Sequence, residues 1–150
     1  MKEGYSHRTL PPDTMLQEYR LEGVLGHGSF GIVYVAKNTF LPETVAIKEF
    51  LPEDLADRVE GTQVVPKSAD FEAIYQEVLY KFLDEARTLF ELAQPHPHPN
   101  IVRVMRYIQA NGTGYMVMDY EQGEPLSEKL KDPHLTLPEQ ELKAILFPLL

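Results

Sequence analysis

The chain has 150 residues, 43% of them hydrophobic and 10% aromatic, and its 14 Lys plus Arg against 23 Asp plus Glu leave a formal charge of −9. A domain of this length buries roughly 68–70% of the surface its unfolded chain exposes, so global disorder is excluded. The acidic balance argues against a nucleic-acid partner, which needs a basic face, and the lack of cysteine removes disulfides, thiolate metal sites and cysteine nucleophiles.

A cysteine-free chain fits a reducing compartment, so the cytoplasm is the expected location. Residues 1–10 lack the apolar run of a signal peptide. The longest apolar stretch, Ala144 to Leu150, falls far short of the about 20 residues a membrane span needs.

Residues 1–18, with Pro11-Pro12, read as an extended arm. From Tyr19 the pattern alternates: Tyr19, Leu21, Gly23 and Leu25 form one row, and after a glycine-rich turn Ile32, Tyr34 and Ala36 oppose Val33, Val35 and Lys37. After a turn at residues 38–42, Thr44 to Phe50 resumes the β-rich alternation with Lys48 embedded in it. Residues 51–70 hold Pro52, Gly61 and Pro66 without a sustained period and read as a long loop with at most a short helical turn.

Leu79, Phe82, Leu83, Ala86, Leu89, Phe90 and Ala93 then trace one helical face, which predicts a helix of about 20 residues ended by Pro95, Pro97 and Pro99. Ile101 to Ile108 and Tyr115 to Tyr120 form two β-rich runs joined by Asn111-Gly112-Thr113-Gly114, a hairpin signal. Leu126 to Lys131 suggests a short helix, and Thr136 to Glu139 has the spacing of a capping box opening another. The stripe of that last helix, Leu142, Ile145, Leu146 and Leu149, has no partner in the sequence and is expected to self-associate or fray.

Gly26-His27-Gly28-Ser29-Phe30-Gly31 matches G-x-G-x-x-G, a string that dinucleotide-binding folds share. In those folds a helix opens after the third glycine, whereas Ile32 to Ala36 is β-branched and aromatic, so a hairpin tip is favoured. No Gly-Lys-Ser/Thr triplet follows, so a Walker-type loop has no support. Glycines at a hairpin tip let backbone N–H groups approach phosphate oxygens, and Lys48 inside an apolar strand calls for an anion. Taken singly, each feature also reads as an ordinary tight turn or a snorkelling surface lysine.

Gly26-x-Gly28-x-x-Gly31-x-Val33 followed by Val45-Ala46-Ile47-Lys48 resembles the nucleotide-binding half of a protein kinase, most like a bacterial serine/threonine kinase, from about Tyr19 to Leu150. The resemblance implies an α+β N-lobe: a five-stranded antiparallel sheet with one major helix over residues 19–121, a long 49–75 insertion, and the first helical elements of a truncated C-lobe over 122–150. It implies that Lys48 contacts the α- and β-phosphates of ATP and is held by a helix glutamate. The best match is Glu85, within Phe82-Leu83-Asp84-Glu85-Ala86, with Glu77 and Glu91 as competitors.

By the same resemblance, Leu25, Gly26, His27, Gly28, Ser29, Phe30, Gly31, Val33 and Ala46 line the nucleotide. Met118 stands beside adenine as gatekeeper, backbone groups of Asp119 and Glu121 bond its edge, and Leu89 and Val104 join a stack behind the site. His96, His98 and His134 read as turn residues rather than metal ligands. The His-Arg-Asp, Asp-Phe-Gly and Ala-Pro-Glu motifs do not occur, so the base and the Mg2+ ligands of a full kinase are absent from these residues. The isolated chain is expected to be inactive, with the missing C-lobe and a protein substrate as partners of the parent. The alternative is the lobe of a pseudokinase scaffold, which intact Gly26, Gly28, Gly31, Lys48 and Glu85 disfavour.

Overall fold

Each β-rich run among the described residues becomes a strand, because β-branched and aromatic side chains pack well on a pleated surface. The computed structural model describes residues 5–92 and 103–120. In chain order the elements are β1 (Met15–Leu16), β2 (Tyr19–Gly28), β3 (Gly31–Asn38), β4 (Thr44–Phe50), β5 (Ala56–Val59), β6 (Gln63–Pro66), a 3-10 turn (Ala69–Phe71), α1 (Glu72–Leu92), β7 (Val104–Ala110) and β8 (Thr113–Asp119).

Six strands form one sheet in the order β1-β2-β3-β4-β8-β7, and β5 pairs only with β6. Every pairing is antiparallel. Five of the six sheet strands are those expected. The sixth is the two-residue β1, drawn from the arm, whose Thr9, Leu10 and Leu16 are buried. The arm is therefore part of the folded domain. The β7–β8 hairpin turns on Asn111 (φ 56°) and Gly112 (φ 77°), two consecutive left-handed residues, as a tight two-residue hairpin requires.

Register sorts the side chains into two layers, because residues directly opposite one another share a face. Val33, Lys48 and Met116 form one row, and Val35, Ala46 and Met118 the next. Phe50 continues that face and meets α1, with ring centroids 5.9 Å from Tyr75 and 5.2 Å from Phe82. Gly114 lets the helix close on β8, since a Cβ there would lie 2.8 Å from Leu83 Cδ2.

Helix α1 runs 21 residues, as its periodicity predicts, and buries Phe82 and Ala86 with Leu79, Leu83 and Leu89 packed alongside. Two details differ from expectation. Phe90 is 40% exposed, and Tyr75, outside the predicted stripe, is fully buried. Phe50 of β4 packs against the Tyr75 ring, whereas Phe90 lies in the last turn of the helix.

Residues 51–71 are not an open loop. They form the β5–β6 hairpin and the 3-10 turn, and α1 begins at Glu72, inside the range assigned to the insertion. Ala56 and Val64 are buried, and Lys67 N–H donates to Leu55 O at 2.8 Å. With the arm, this hairpin covers the face of the sheet opposite α1, so nearly all of β4 and β8 is buried on both sides. The hairpin strands are only four residues each, so no alternation of useful length announces them.

Candidate functional site

The glycine turn sits where β2 passes into β3, with Gly28 opposite Gly31 and Ser29-Phe30 at the tip. Two register shifts interrupt the β2–β3 ladder, one between Leu21 and Gly23 and one between Val24 and Gly26, the second within the glycine motif. No helix follows Gly31, so the dinucleotide-fold reading falls away. Each glycine has its own environment. A Cβ on Gly26 would meet nothing within 4 Å, whereas one on Gly31 would lie 2.2 Å from the Glu49 carbonyl oxygen.

The tip is tied down from behind. Leu51 N–H donates to Phe30 O and Glu53 N–H to Ser29 O, both at 2.9 Å, so the residues leaving β4 hold the turn by its backbone. Gly31→Ala would drive its Cβ into the Glu49 carbonyl and force β3 and β4 apart there, and a loss of about 2–3 kcal/mol in urea unfolding is expected. Gly26→Ala, facing open space, is expected to cost under about 1 kcal/mol in the same measurement.

Lys48 is 2% exposed, in the middle of β4, with its ammonium 5.5 Å from the centroid of the Phe82 ring. Burial drives its pKa down to about 7, and the Glu85 carboxylate opposes that shift by favouring the charged form. Glu85 is half-buried on α1, one turn from Phe82. Of the three candidate glutamates, it is the one whose charge acts on Lys48.

The register also gathers the remaining predicted residues. Val33 and Ala46 are each 2% exposed and Met118 is 1% exposed, all on the Lys48 face, with Leu25 partly buried near by. His27 and Ser29 are exposed and Phe30 is half-buried. Val104 is buried opposite Met118, and Leu89 packs against the core. Asp119 is exposed, its N–H donating to Arg103 O at 3.1 Å and its carboxylate 3.3 Å from the Arg103 guanidinium. Glu121, His96, His98, His134, Leu126 to Lys131 and the stripe Leu142, Ile145, Leu146 and Leu149 lie outside the described residues. Among the described residues, no group of three or more His, Asp or Glu is placed to hold a metal ion. No helix there is long and apolar enough to cross a membrane.

Sequence reasoning missed the polar cluster on the opposite face. Glu49, fully buried, accepts Tyr34 Oη at 2.8 Å and Tyr115 Oη at 2.7 Å, and forms an ion pair with Arg58 of β5. Arg58 also donates to Arg8 O at 2.8 Å and Thr62 O at 2.7 Å, so one guanidinium joins sheet, arm and hairpin. Burial works against the Arg58 charge, but Glu49, by its charge and hydrogen bond, raises the pKa overall. Burial, then the Glu49 charge, push both tyrosine hydroxyls well above their ordinary range, so they remain protonated donors. The available signal was Glu49 itself, an acid in an otherwise apolar strand position facing away from Lys48.

A six-stranded antiparallel sheet with one major helix, a glycine turn at a strand junction and a buried strand lysine facing a helix glutamate is the arrangement of a protein kinase N-lobe. Residues 19–150 match the protein kinase domain family, and the chain belongs to it. It is 30% identical over 123 residues to CBL-interacting serine/threonine-protein kinase 12 of Arabidopsis thaliana, across 82% of this chain and 21% of that protein. It is 30% identical over 118 residues to serine/threonine-protein kinase PknJ of Mycobacterium tuberculosis, across 79% of this chain and 16% of that protein. The chain thus spans 16–21% of the length of these curated relatives.

Among solved structures, PpkA-294 in its apo form superposes with a TM-score of 0.73 at 31% identity, covering 95% of this chain and 49% of that one. A variant of the PknI kinase domain of Mycobacterium tuberculosis shares the fold, with a TM-score of 0.51 at 18% identity over 76% of this chain and 37% of that one.

Proposed function

We propose that the space between the glycine turn, the Lys48 face and β8 binds ATP, and that the chain is the nucleotide-binding lobe of a serine/threonine kinase that transfers the γ-phosphate to protein hydroxyls. The observation that carries this reading is Lys48, 2% exposed beside a glycine turn and within the field of Glu85. A buried amine in an apolar strand is costly unless it meets an anion, and a triphosphate supplies several. The glycine turn would offer backbone N–H groups to the same phosphates, and the open space at Gly26 leaves room for them.

Leu25, Val33 and Ala46 would pack on the adenine plane, with Met118 at its edge. The Asp119 N–H is committed to Arg103 O, so the Asp119 carbonyl is the group that would meet the adenine amino group. Glu121 would supply a second backbone contact. Glu85 would keep Lys48 charged and aimed at the phosphates. Magnesium would neutralise phosphate charge in the full kinase. The location in the cell, taken as the cytoplasm, belongs to the same proposal.

ATP titration followed by amide NMR tests the reading. Shifts are expected at residues 25–33 and 46–48 and should be largely lost in Lys48→Met. Shifts that avoid the glycine turn and persist in that variant would overturn it.

A further inference from the structure

The position of α1 decides how far Glu85 lies from Lys48, and two hydrogen-bonded routes tie that helix to the β5–β6 hairpin. On the first, Tyr75 Oη of α1 donates to the Gly112 carbonyl at 2.7 Å, in the β7–β8 turn. The hairpin grips that same turn: Val64 N–H donates to Asn111 O at 2.8 Å, and the packing is so close that a Cβ on Gly112 would lie 2.4 Å from Val64 O. On the second route, Asn111 Nδ2 donates to Tyr115 Oη at 3.0 Å, Tyr115 donates to Glu49, and Glu49 pairs with Arg58 of the hairpin. The turn that receives Tyr75 is therefore held by the hairpin through its backbone and through a buried ion pair.

We propose that the β5–β6 hairpin is a clamp built into the chain: by gripping the β7–β8 turn through Val64 and through Arg58–Glu49–Tyr115–Asn111, it holds Tyr75 and helix α1 inward, which keeps Glu85 beside Lys48. Tyr75 is then a positioning residue. Its ring packs at a tilt against Phe50, Phe50 packs in the same way against Phe82, and the Lys48 ammonium lies over the Phe82 ring, so displacement at Tyr75 propagates along one packed row to the amine. The clamp requires no partner protein, since both ends of the linkage belong to the same chain. The consequence for Lys48 rests on the ATP reading above, while the clamp itself is a statement about helix position.

The native chain contains no cysteine, so two introduced thiols label uniquely. Lys37 on β3 and Lys81 on α1 are both exposed, and Lys37→Cys with Lys81→Cys, carrying spin labels, report the sheet-to-helix distance by pulsed EPR. The otherwise unaltered chain should give one population. Tyr75→Phe, which deletes only the hydroxyl, should add a population displaced by about 2 Å or more and weaken ATP binding roughly 3- to 10-fold.

The paired variant Glu49→Gln with Arg58→Met severs the second route without stranding a charge and should do the same. It carries the test if Tyr75→Phe does not fold. The distances are compared under conditions where circular dichroism shows each variant fully folded, so that an unfolded fraction adds no distances of its own. A folded variant with the parental distance distribution would overturn the clamp. If the parent itself fails to bind ATP, the ATP reading fails, and the distances still decide the clamp.

Discussion

Lys48→Met is expected to do two opposite things: stabilise the nucleotide-free chain and remove most of its affinity for ATP. The folded pKa of Lys48 is about 7 against 10.5 when unfolded, so below pH 7 both states are protonated and the cost of burying the ammonium is felt in full. Between the two values the folded state sheds the proton while the unfolded state keeps it, and parental stability rises with pH. Methionine, of similar reach and uncharged, escapes the cost. The variant should therefore be more stable by about 3 kcal/mol at pH 6, with the advantage shrinking as pH approaches 10.

ATP reverses the preference, because phosphate charge beside the amine favours its protonated form. Binding above pH 7 must then take up a proton, and affinity should fall between pH 7 and 9 by up to about tenfold per unit. The variant should bind roughly 10- to 100-fold more weakly at pH 7, with little pH dependence from this site. Urea unfolding at several pH values and calorimetry in two buffers of different ionisation enthalpy measure both halves. A parental affinity flat from pH 7 to 9, with no proton uptake, would contradict the assignment.

The second large effect is predicted on the opposite face of the same strand. Arg58→Met leaves the Glu49 carboxylate fully buried with only two tyrosine donors, and a loss of about 3–5 kcal/mol is expected. Glu49→Gln strands the guanidinium and should cost a comparable amount. The double variant removes both charges and should recover much of the loss, so the double-mutant cycle should show coupling of about 2 kcal/mol or more. Denaturant unfolding of the four proteins measures it. Additive losses would mean that Glu49 and Arg58 act independently, and would remove the hairpin's strongest link to the sheet.

These two faces show what could be read in advance. The strand runs around Lys48, the helix carrying Glu85 and the Asn111-Gly112 turn were legible because each signal is local: alternation, a helical stripe, two adjacent residues that tolerate positive φ. The candidate site residues came from the family resemblance; the β3–β4 pairing places Val33 opposite Lys48, and Met118 joins Ala46 through the long-range β4–β8 pairing. The hairpin at 56–66 was not legible. Strands of four residues are too short to show a period, and the groups that hold them, Arg8 and Asn111 among them, lie far away in the chain.

The sequence by itself determined the family-defining pieces and their order, because glycine at a strand junction, a lysine in an apolar strand and a helical stripe each constrain the backbone within a few residues. Only the tertiary structure decided that Glu49 would be buried rather than solvated, that the arm and residues 51–71 would form a second layer over the sheet, and that Tyr75 would replace Phe90 in the core. Those outcomes depend on long-range partners. Arg58 lies nine residues from Glu49, Tyr115 lies 66 from it and Gly112 lies 37 from Tyr75, and a buried charge or hydroxyl is tolerated only once such distant groups satisfy it.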